Sequence, residues 1–285
     1  MKKDKISYAV FFLTIIVILA VNGLFLFIRS QREYSENENR YLTTFQPFTI
    51  TGFLDTSLQK NLTDGSDDQF FGRDIWMKFA ASLQCAIGFR DMGGVYLGRN
   101  GCYFERILDS SISESRYLNN LQYLEKFSSS YHTKTAFLPV PSKGTILKDQ
   151  LPANAVLYDA DRLYSQAKNS LKQTKLLDIR PDLEEESHKR QIYFNTDHHW
   201  TIEAAYRAYA AWQHMRSADS TALEHFSPEC VSRTFYGTLY SKAPAFGIRP
   251  DKLYIPAKLP KAKVRINAEE SDAIYDMGKL DTKDK

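Results

Sequence analysis

The N-terminal segment carries the strongest hydrophobic pattern in the chain. Residues 6–28 contain no charged side chain, and three lysines precede them. As a helix this stretch would span about 34 Å, enough to cross the hydrocarbon core of a bilayer. It is longer than the apolar region of a cleaved signal peptide and does not end in small residues. The pattern predicts a single-pass membrane anchor with its N-terminus inside and the rest of the chain outside the cytoplasm.

The residues after the anchor change from a polar pattern to a helical one. Residues 31–63 are polar and turn-rich, which is typical of a stalk. Between residues 67 and 89, apolar side chains recur at helical spacing and predict one helix. Two short aromatic runs around Asn100-Gly101 then predict a β-hairpin. The expected domains are a cytoplasmic tip with the anchor (1–30), the stalk (31–63) and a folded domain (64–285).

Helical and extended patterns alternate in the middle of the chain. Helices are expected at residues 115–130 and 159–173, with short apolar strands before and after the second of them. "QIYFN" at residues 191–195 predicts a further strand. Alternating strands and helices indicate an α/β fold with a parallel sheet flanked by helices. Ligands of such folds collect at the carboxyl ends of the strands.

Composition narrows the functional classes. The chain has 285 residues, 43% of them hydrophobic, so it can bury a full core. Its 37 basic and 34 acidic residues leave a net charge of +3, which is too balanced to indicate a nucleic-acid partner. The 13% aromatic content fits either a larger core or a surface that stacks on sugars. Cys85, Cys102 and Cys230 show no zinc spacing, so they are either small buried residues or one disulfide with a free thiol.

A cluster of chemically active side chains follows the last predicted strand. The stretch "NTDHHW" at residues 195–200 leads directly into a helical pattern. An Asp two residues before a His can supply, from one turn, both a general base and the carboxylate that orients it. Asp197 and His199 have this spacing. Catalysis by this pair and an ordinary hydrogen-bonded polar turn are the two main alternatives.

A metal site is a third interpretation of the same residues. Adjacent His198 and His199 do not easily chelate one zinc ion, and the helical H-E-x-x-H pattern is absent. Phosphoesterases with an Asp-His-His motif need further aspartates near the start of a cytosolic domain, where this chain has its apolar segment. We therefore expect no metal and no other cofactor.

Several blocks of the sequence together resemble a known family. The stretch "TDHHW" at residues 196–200, "FYGTLYSKA" at 235–243 and "FLPVPSKGTILKDQLP" at 137–152 look like the DHHW protein family of bacteria. That family is similar to the SGNH-hydrolase-like domains of alginate O-acetylation proteins of the cell envelope. The likeness extends from about residue 36 onward. It implies an SGNH-like fold in which Asp197 orients His199 and His199 acts as the general base.

The resemblance also implies a nucleophilic serine, after an apolar strand and later in the chain than the Asp–His pair. Ser271 is the only serine beyond Tyr254, and polar residues precede it. The predicted serine is therefore missing from this chain, so we expect the sequence to be truncated at its C-terminus and this chain by itself to have little or no such activity. Ser142 follows an apolar strand but lacks the form of a nucleophile elbow. Lys143 beside it is expected to be solvated, with anion binding as the alternative.

The function implied by the resemblance is O-acyl transfer or ester hydrolysis, with acetyl as the expected group. The partners would be an envelope or exported polysaccharide, the membrane lipid and a membrane acyltransferase that delivers the acyl group. The alternative is a membrane-tethered carbohydrate-binding or assembly protein without catalysis. A serine block beyond residue 285 would favour the enzyme.

Overall fold

A computed structural model describes residues 2–35, 37–38, 40–131, 134–258, 263–266, 269–272 and 274–275. The chain divides into two compact units. The first comprises Met1–Ala86 with Pro244–Phe246, and the second comprises Ile87–Ala243 with Gly247–Lys285. The C-terminal residues 276–285, after which the sequence predicts a serine block, lie outside the described residues.

The first unit is mainly helical. Its elements are α1 (Lys2–Ile28), β1 (Tyr34–Ser35), β2 (Arg40–Tyr41), α2 (Ile50–Leu54), α3 (Ser57–Gln69) and α4 (Arg73–Ala86). Strands β1 and β2 pair antiparallel. Within α1, Ser7–Leu26 is long and apolar enough to cross a membrane, and no other described helix meets that criterion. The stretch predicted as a stalk holds β1, β2, α2 and the start of α3, and the domain boundaries drawn from the sequence stay a prediction.

The single helix predicted over residues 67–89 is wrong. Helix α3 ends at Gln69 and α4 begins at Arg73. Gly72 lies between them with φ of +67°, a conformation that favours glycine and interrupts a helix. The apolar periodicity continued across this break and concealed it.

The second unit mixes helices and strands. Its first elements are β3 (Asp91–Met92), β4 (Val95–Leu97), β5 (Tyr103–Glu105), α5 (Glu114–Tyr131), β6 (Ala136–Phe137), α6 (Lys143–Ile146), α7 (Ala160–Ser170), β7 (Lys175–Leu176), α8 (Arg180–Ser187) and α9 (Ile202–Met215). They are followed by β8 (Pro228–Phe235), α10 (Thr238–Lys242), β9 (Asp251–Pro256), β10 (Val264–Ile266) and β11 (Glu269–Ser271). The hairpin predicted around Asn100 is confirmed as the antiparallel pair β4–β5.

The sheets of this unit are small. Strands β3, β4 and β5 form one antiparallel sheet, and β8–β9 and β10–β11 form antiparallel pairs. Parallel pairing, predicted for a whole sheet, is limited among the described strands to β6 and β7. Pro139 and Pro141 follow β6 and carry no N–H group, so they cannot donate to an extended ladder. The mixed helix and strand content of an α/β class is nevertheless present.

The core of the second unit forms around the β4–β5 hairpin. Tyr103 and Phe104 are fully buried, and side chains from α8, α9 and the residues before α9 pack with Phe104 in one cluster. Leu183 of α8, Ala204 of α9 and Ile192 are among its most buried members. Cys102 is also buried in this core and Cys230 is half-buried, and neither forms a disulfide. The core therefore lies directly beneath the loop that carries the Asp–His motif.

Candidate active site

The Asp–His motif lies on a tight loop immediately before α9. An isolated bridge pairs Tyr193 with Trp200 and closes the loop. Within it, the Phe194 N–H donates to the His199 carbonyl at 3.2 Å, and the Thr201 N–H donates to the Ile192 carbonyl at 2.9 Å. The predicted strand at 191–195 is thus replaced by this loop. The two motif residues are brought together, as the sequence predicts.

The carboxylate of Asp197 is buried and accepts four hydrogen bonds. Its Oδ1 accepts from the backbone N–H of His199 at 2.9 Å and pairs with the His199 ring Nδ1 at 2.6 Å. Its Oδ2 accepts from the backbone N–H and the hydroxyl of Thr238, at 2.8 and 3.0 Å. Burial alone would raise the pKa of this carboxyl, but these hydrogen bonds outweigh it and lower the pKa to about 2. Asp197 is therefore an ionised acceptor at neutral pH.

His199 is held so that its other nitrogen is available as a base. Because the ionised Asp197 only accepts, the bond of 2.6 Å places the proton of a neutral imidazole on Nδ1. The Nε2 atom then carries the lone pair. The side chain is 67% exposed, so a substrate can reach it. This is the arrangement of an acid–base histidine and its orienting carboxylate.

His198 is linked to the same carboxylate through Thr238. Its Nδ1 lies 3.0 Å from the Thr238 hydroxyl, which itself donates to Asp197 Oδ2. The Thr238 oxygen therefore accepts from Nδ1–H of His198. The two imidazole rings lie with their centroids 3.9 Å apart. Asp197 thus orients one histidine directly and the other through a hydroxyl.

Gly237 allows Thr238 to approach the carboxylate. A Cβ atom at position 237 would lie 2.3 Å from the Asp197 Cβ and 2.4 Å from its Oδ2. No side chain fits at that distance. The N–H of Gly237 donates to the Thr196 hydroxyl at 3.0 Å, and this bond fixes the turn beside the motif. The absence of a side chain at position 237 is a structural requirement of the site.

A second buried carboxylate holds the loop from below. Asp251, at the start of β9, accepts from the Asn195 N–H and the Thr196 N–H, each at 2.8 Å. It also accepts from the Thr196 hydroxyl at 2.6 Å and from the Gln191 side-chain amide at 2.8 Å. These donors lie just before Asp197 in the chain. Asp251 therefore fixes the backbone from which the orienting acid projects.

Lys143 is a buried clamp on the same loop, so the prediction of a solvated lysine is wrong. Its Nζ donates to the carbonyls of Phe194, Asn195 and Asp197 at 2.7, 3.2 and 2.8 Å. Burial lowers its pKa, while the nearby carboxylates of Asp251 and Asp197 oppose that shift. Its three donor positions are all used by carbonyls, which does not support the alternative of anion binding.

A cavity of about 310 Å³ opens beside the two histidines. His198, His199, Trp200 and Tyr193 line one part of it, and residues 140–144 and Glu105 line the rest. Ser142 is among the lining residues, and its hydroxyl pairs with the Thr145 hydroxyl at 2.9 Å. Ser271, the other serine considered, lies on β11 in a two-stranded hairpin with β10. Ser142 is thus the one of these two serines that shares the cavity with His199.

The donor atoms of Asp197, His198 and His199 lie within 4.8 Å of one another, close enough to consider a metal ion. Both oxygens of Asp197, however, already accept two hydrogen bonds each. A metal bound to this carboxylate would displace the His199 ring or Thr238. The observed contacts fit an imidazole held by a carboxylate better than a metal centre.

The sequence pattern predicts Asp197 and His199 but not the residues that hold them. Thr238 belongs to the "FYGTLYSKA" block, which was noted only as part of the resemblance. Asp251 is the first residue of β9, and no local pattern marks it. The buried Lys143 was noted with the wrong role.

Comparison with protein families gives one match over more than half of the chain. Residues 105–278 match the family described as "ALGX: SGNH hydrolase-like domain, acetyltransferase AlgX". The matched range contains Asp197, His199, Thr238 and Asp251. A search of the curated proteins found no significant match.

Three solved structures with similarity to the chain are distant in sequence. A DHHW family protein from Eubacterium siraeum is 23% identical, with a TM-score of 0.48, over 58% of this chain and 55% of that one. The O-acetyltransferase domain of Pseudomonas putida AlgJ is 18% identical, with a TM-score of 0.46, over 56% and 63%. Bacillus cereus PatB1 is 16% identical, with a TM-score of 0.45, over 57% and 56%. The match spans less than two thirds of each of these structures.

The family match confirms the resemblance predicted from the sequence blocks, and with it the SGNH-hydrolase-like fold. The chain belongs to the ALGX family of SGNH hydrolase-like domains.

Proposed function

We propose that the protein is a membrane-anchored, extracytoplasmic O-acyltransferase or esterase of the SGNH type. The transferred group is acetyl, and the substrate is a polysaccharide of the cell envelope or an exported polysaccharide. The family description, which names an acetyltransferase, supports the class of reaction. The apolar helix α1 supports the anchor, and the lysines before it support an N-terminus inside the cell.

The observation that carries this proposal is the bond between Asp197 and His199. A surface turn would leave an aspartate and a histidine free to rotate in water. Here the carboxylate is buried, holds four donors and has a pKa of about 2, while the imidazole faces a cavity. A histidine fixed in one tautomer beside an open cavity is the arrangement that general-base catalysis needs.

In the proposed reaction, the base activates a hydroxyl nucleophile. His199 Nε2 takes the proton as the hydroxyl oxygen attacks the acyl carbon, and Asp197 stabilises the imidazolium that forms. The bond from the acyl carbon to the departing oxygen then breaks, and that oxygen takes the proton from Nε2. A sugar hydroxyl, or water in the esterase reaction, reverses these steps and removes the acyl group.

The proposed reaction requires a serine hydroxyl as the nucleophile, and the experiment identifies which serine this is. Ser142 lines the cavity but pairs with Thr145, and the resemblance implies a serine in a later segment. The test therefore uses a probe that reports the nucleophile. The protein, expressed with any coding sequence that follows residue 285 and purified in detergent, is treated with a fluorophosphonate and digested, and the labelled peptide is identified by mass spectrometry. Release of nitrophenol from p-nitrophenyl acetate is measured in parallel.

We expect one labelled serine and measurable ester hydrolysis, both lost in His199→Ala. His188→Ala is the matched control, because His188 is an exposed histidine at the end of α8. If His199→Ala keeps both labelling and hydrolysis, the proposed base is wrong. If the unaltered chain shows neither, the non-catalytic, carbohydrate-binding alternative replaces the enzyme.

A further inference from the structure

Helix α4 of the first unit has an exposed face made of apolar side chains. Ile75, Trp76, Phe79 and Leu83 are 67%, 49%, 54% and 52% exposed, and Ala80 lies among them. Their spacing of three, four and one residues places them on a single stripe that runs along the helix. The opposite side is buried at Ala81. A helix that turns its hydrophobic stripe outward lacks its partner.

The start of α4 is attached to the apolar helix α1. The Phe71 N–H donates to the Asn22 side-chain oxygen at 2.7 Å, and the Phe71 ring stacks on Phe25 with centroids 4.0 Å apart. Helix α4 begins two residues later, at Arg73. The first unit therefore fixes where this helix starts along α1.

That attachment point lies near the end of the segment able to cross a membrane. The segment ends at Leu26, four residues after Asn22, which corresponds to about 6 Å along the helix axis. Amphipathic helices that lie on a bilayer bury their apolar face to a depth of about 5–10 Å. The two depths agree, so α4 begins at the level of the membrane interface if α1 spans the bilayer.

We propose that α4 lies on the outer surface of the membrane with its stripe of Ile75, Trp76, Phe79 and Leu83 in the lipid. This inference rests on the anchoring part of the proposed function and adds a second contact with the bilayer. The stripe carries no charge, and its tryptophan is a residue type enriched at membrane interfaces. Helix α4 spans about 21 Å, so the chain would be held to the membrane along a surface as well as at one point.

A lipid partner accounts for these features together. The opposite side of the helix is buried at Ala81, and at the edge of the stripe the Ser82 hydroxyl accepts from the Phe246 N–H at 2.8 Å, so protein of the same unit covers the helix up to the border of the stripe. The stripe has the composition of an interfacial helix, and α4 begins at the depth expected for one. A protein partner would not explain why α4 begins beside the end of the apolar segment. A second copy of the chain bound to this stripe is the alternative that the experiment distinguishes from lipid.

Tryptophan fluorescence tests this arrangement in the full chain. The protein is reconstituted into nanodiscs of phosphatidylcholine brominated near the headgroup end of the acyl chains, and quenching is compared with unbrominated discs. Iodide serves as the quencher from water. The three proteins compared are the unaltered chain, Trp76→Phe and, as the control, Trp212→Phe, because Trp212 is an exposed tryptophan on α9 of the other unit.

We expect a bromine-quenched component that is lost in Trp76→Phe and kept in Trp212→Phe, with several-fold weaker iodide quenching of that component than of Trp212. Iodide quenching of Trp76 as strong as that of Trp212 would overturn the proposal. Protection of Trp76 from both quenchers would also overturn it and indicate a protein contact, such as a second copy.

Co-elution with the discs, measured first, distinguishes failure of the membrane anchor from failure of the interfacial helix. A chain that does not enter the discs contradicts the anchor and the interfacial helix together. A chain that enters them while Trp76 stays in water contradicts the interfacial helix alone.

Discussion

Two buried carboxylates of the second unit accept the same number of hydrogen bonds but from different kinds of donor. Asp197 and Asp251 are 3% and 2% exposed, and each oxygen of each carboxylate accepts two hydrogen bonds. The donors to Asp251 are amides and one hydroxyl. The donors to Asp197 include the ring of His199, which faces the cavity.

The donors indicate which of the two carboxylates can take part in proton transfer and which can only support the loop. A carboxylate saturated by amides and a hydroxyl can only fix a backbone, because none of its partners exchanges a proton near neutral pH. The same carboxylate with an imidazole among its donors controls the tautomer and charge of a base. Removing the charge at Asp197 should therefore affect activity most, and removing it at Asp251 should affect stability most.

The largest expected effect is that of Asp197→Asn on activity. The amide cannot stabilise an imidazolium and favours the wrong tautomer of His199. We expect kcat for acyl transfer or ester hydrolysis to fall roughly a thousand- to ten-thousand-fold. Steady-state kinetics on the folded variant check this, with circular dichroism as the control for folding. Activity within tenfold of the unaltered chain would place the general base elsewhere.

The second prediction concerns Asp251→Asn and is the counterpart of the first. The neutral amide leaves buried donors of Asn195 and Thr196 with weaker acceptors, so we expect a loss of about 2–3 kcal/mol in the free energy of unfolding. Urea titration of the full chain measures this. The kcat of the folded fraction should fall far less than in Asp197→Asn. A large loss of kcat without a loss of stability would contradict a purely supporting role.

A pH titration sharpens the comparison at Asp197 itself. The pKa of this carboxyl is lowered from 3.8 to about 2, so its ionised form stabilises the fold above about pH 4. That contribution, on the order of 2 kcal/mol, is lost as the pH falls from about 4 to 2. The difference in unfolding free energy between the unaltered chain and Asp197→Asn should shrink across this interval. A difference that stays constant would show that the carboxyl keeps its ordinary pKa.

The smallest predicted effect is that of Thr238→Val. Valine keeps the shape and the backbone donor but removes the hydroxyl between Asp197 and His198. One hydrogen bond of about 1 kcal/mol corresponds to about a fivefold lower kcat, with KM little changed. Thr238→Ser should restore most of the rate. If Thr238→Ser is as slow as Thr238→Val, the hydroxyl alone does not account for the loss.

Local sequence signals predicted those parts of the fold that local interactions determine. The hairpin at β4–β5 follows from Asn100 and Gly101, whose φ values of 57° and 76° suit a tight turn. Helix α5 follows from the spacing of its leucines. The stretch at 191–195 is not a strand, because its backbone groups bond to the side chains of Asp251 and Lys143 as well as to Tyr103 of β5.

The residues of the candidate site likewise fall into those that a local pattern predicts and those that only the tertiary structure brings together. Asp197 and His199 are two residues apart, so their contact leaves a recognisable motif. Thr238 and Asp251 reach the motif across 41 to 56 positions, and nothing near either residue indicates its partner. Lys143 looks like a surface lysine because only the tertiary structure brings three carbonyls to it. The predicted serine stays a prediction.

These long separations have a consequence for synthesis of the protein. A ribosome that has made residues up to 199 has produced the acid and the base but neither Thr238 nor Asp251, so the loop has no partners that hold it. Contacts between distant residues form late, because the chain between them must first be ordered. We therefore expect the pair of Asp197 and His199 to reach its final geometry only after residue 251 has emerged from the ribosome.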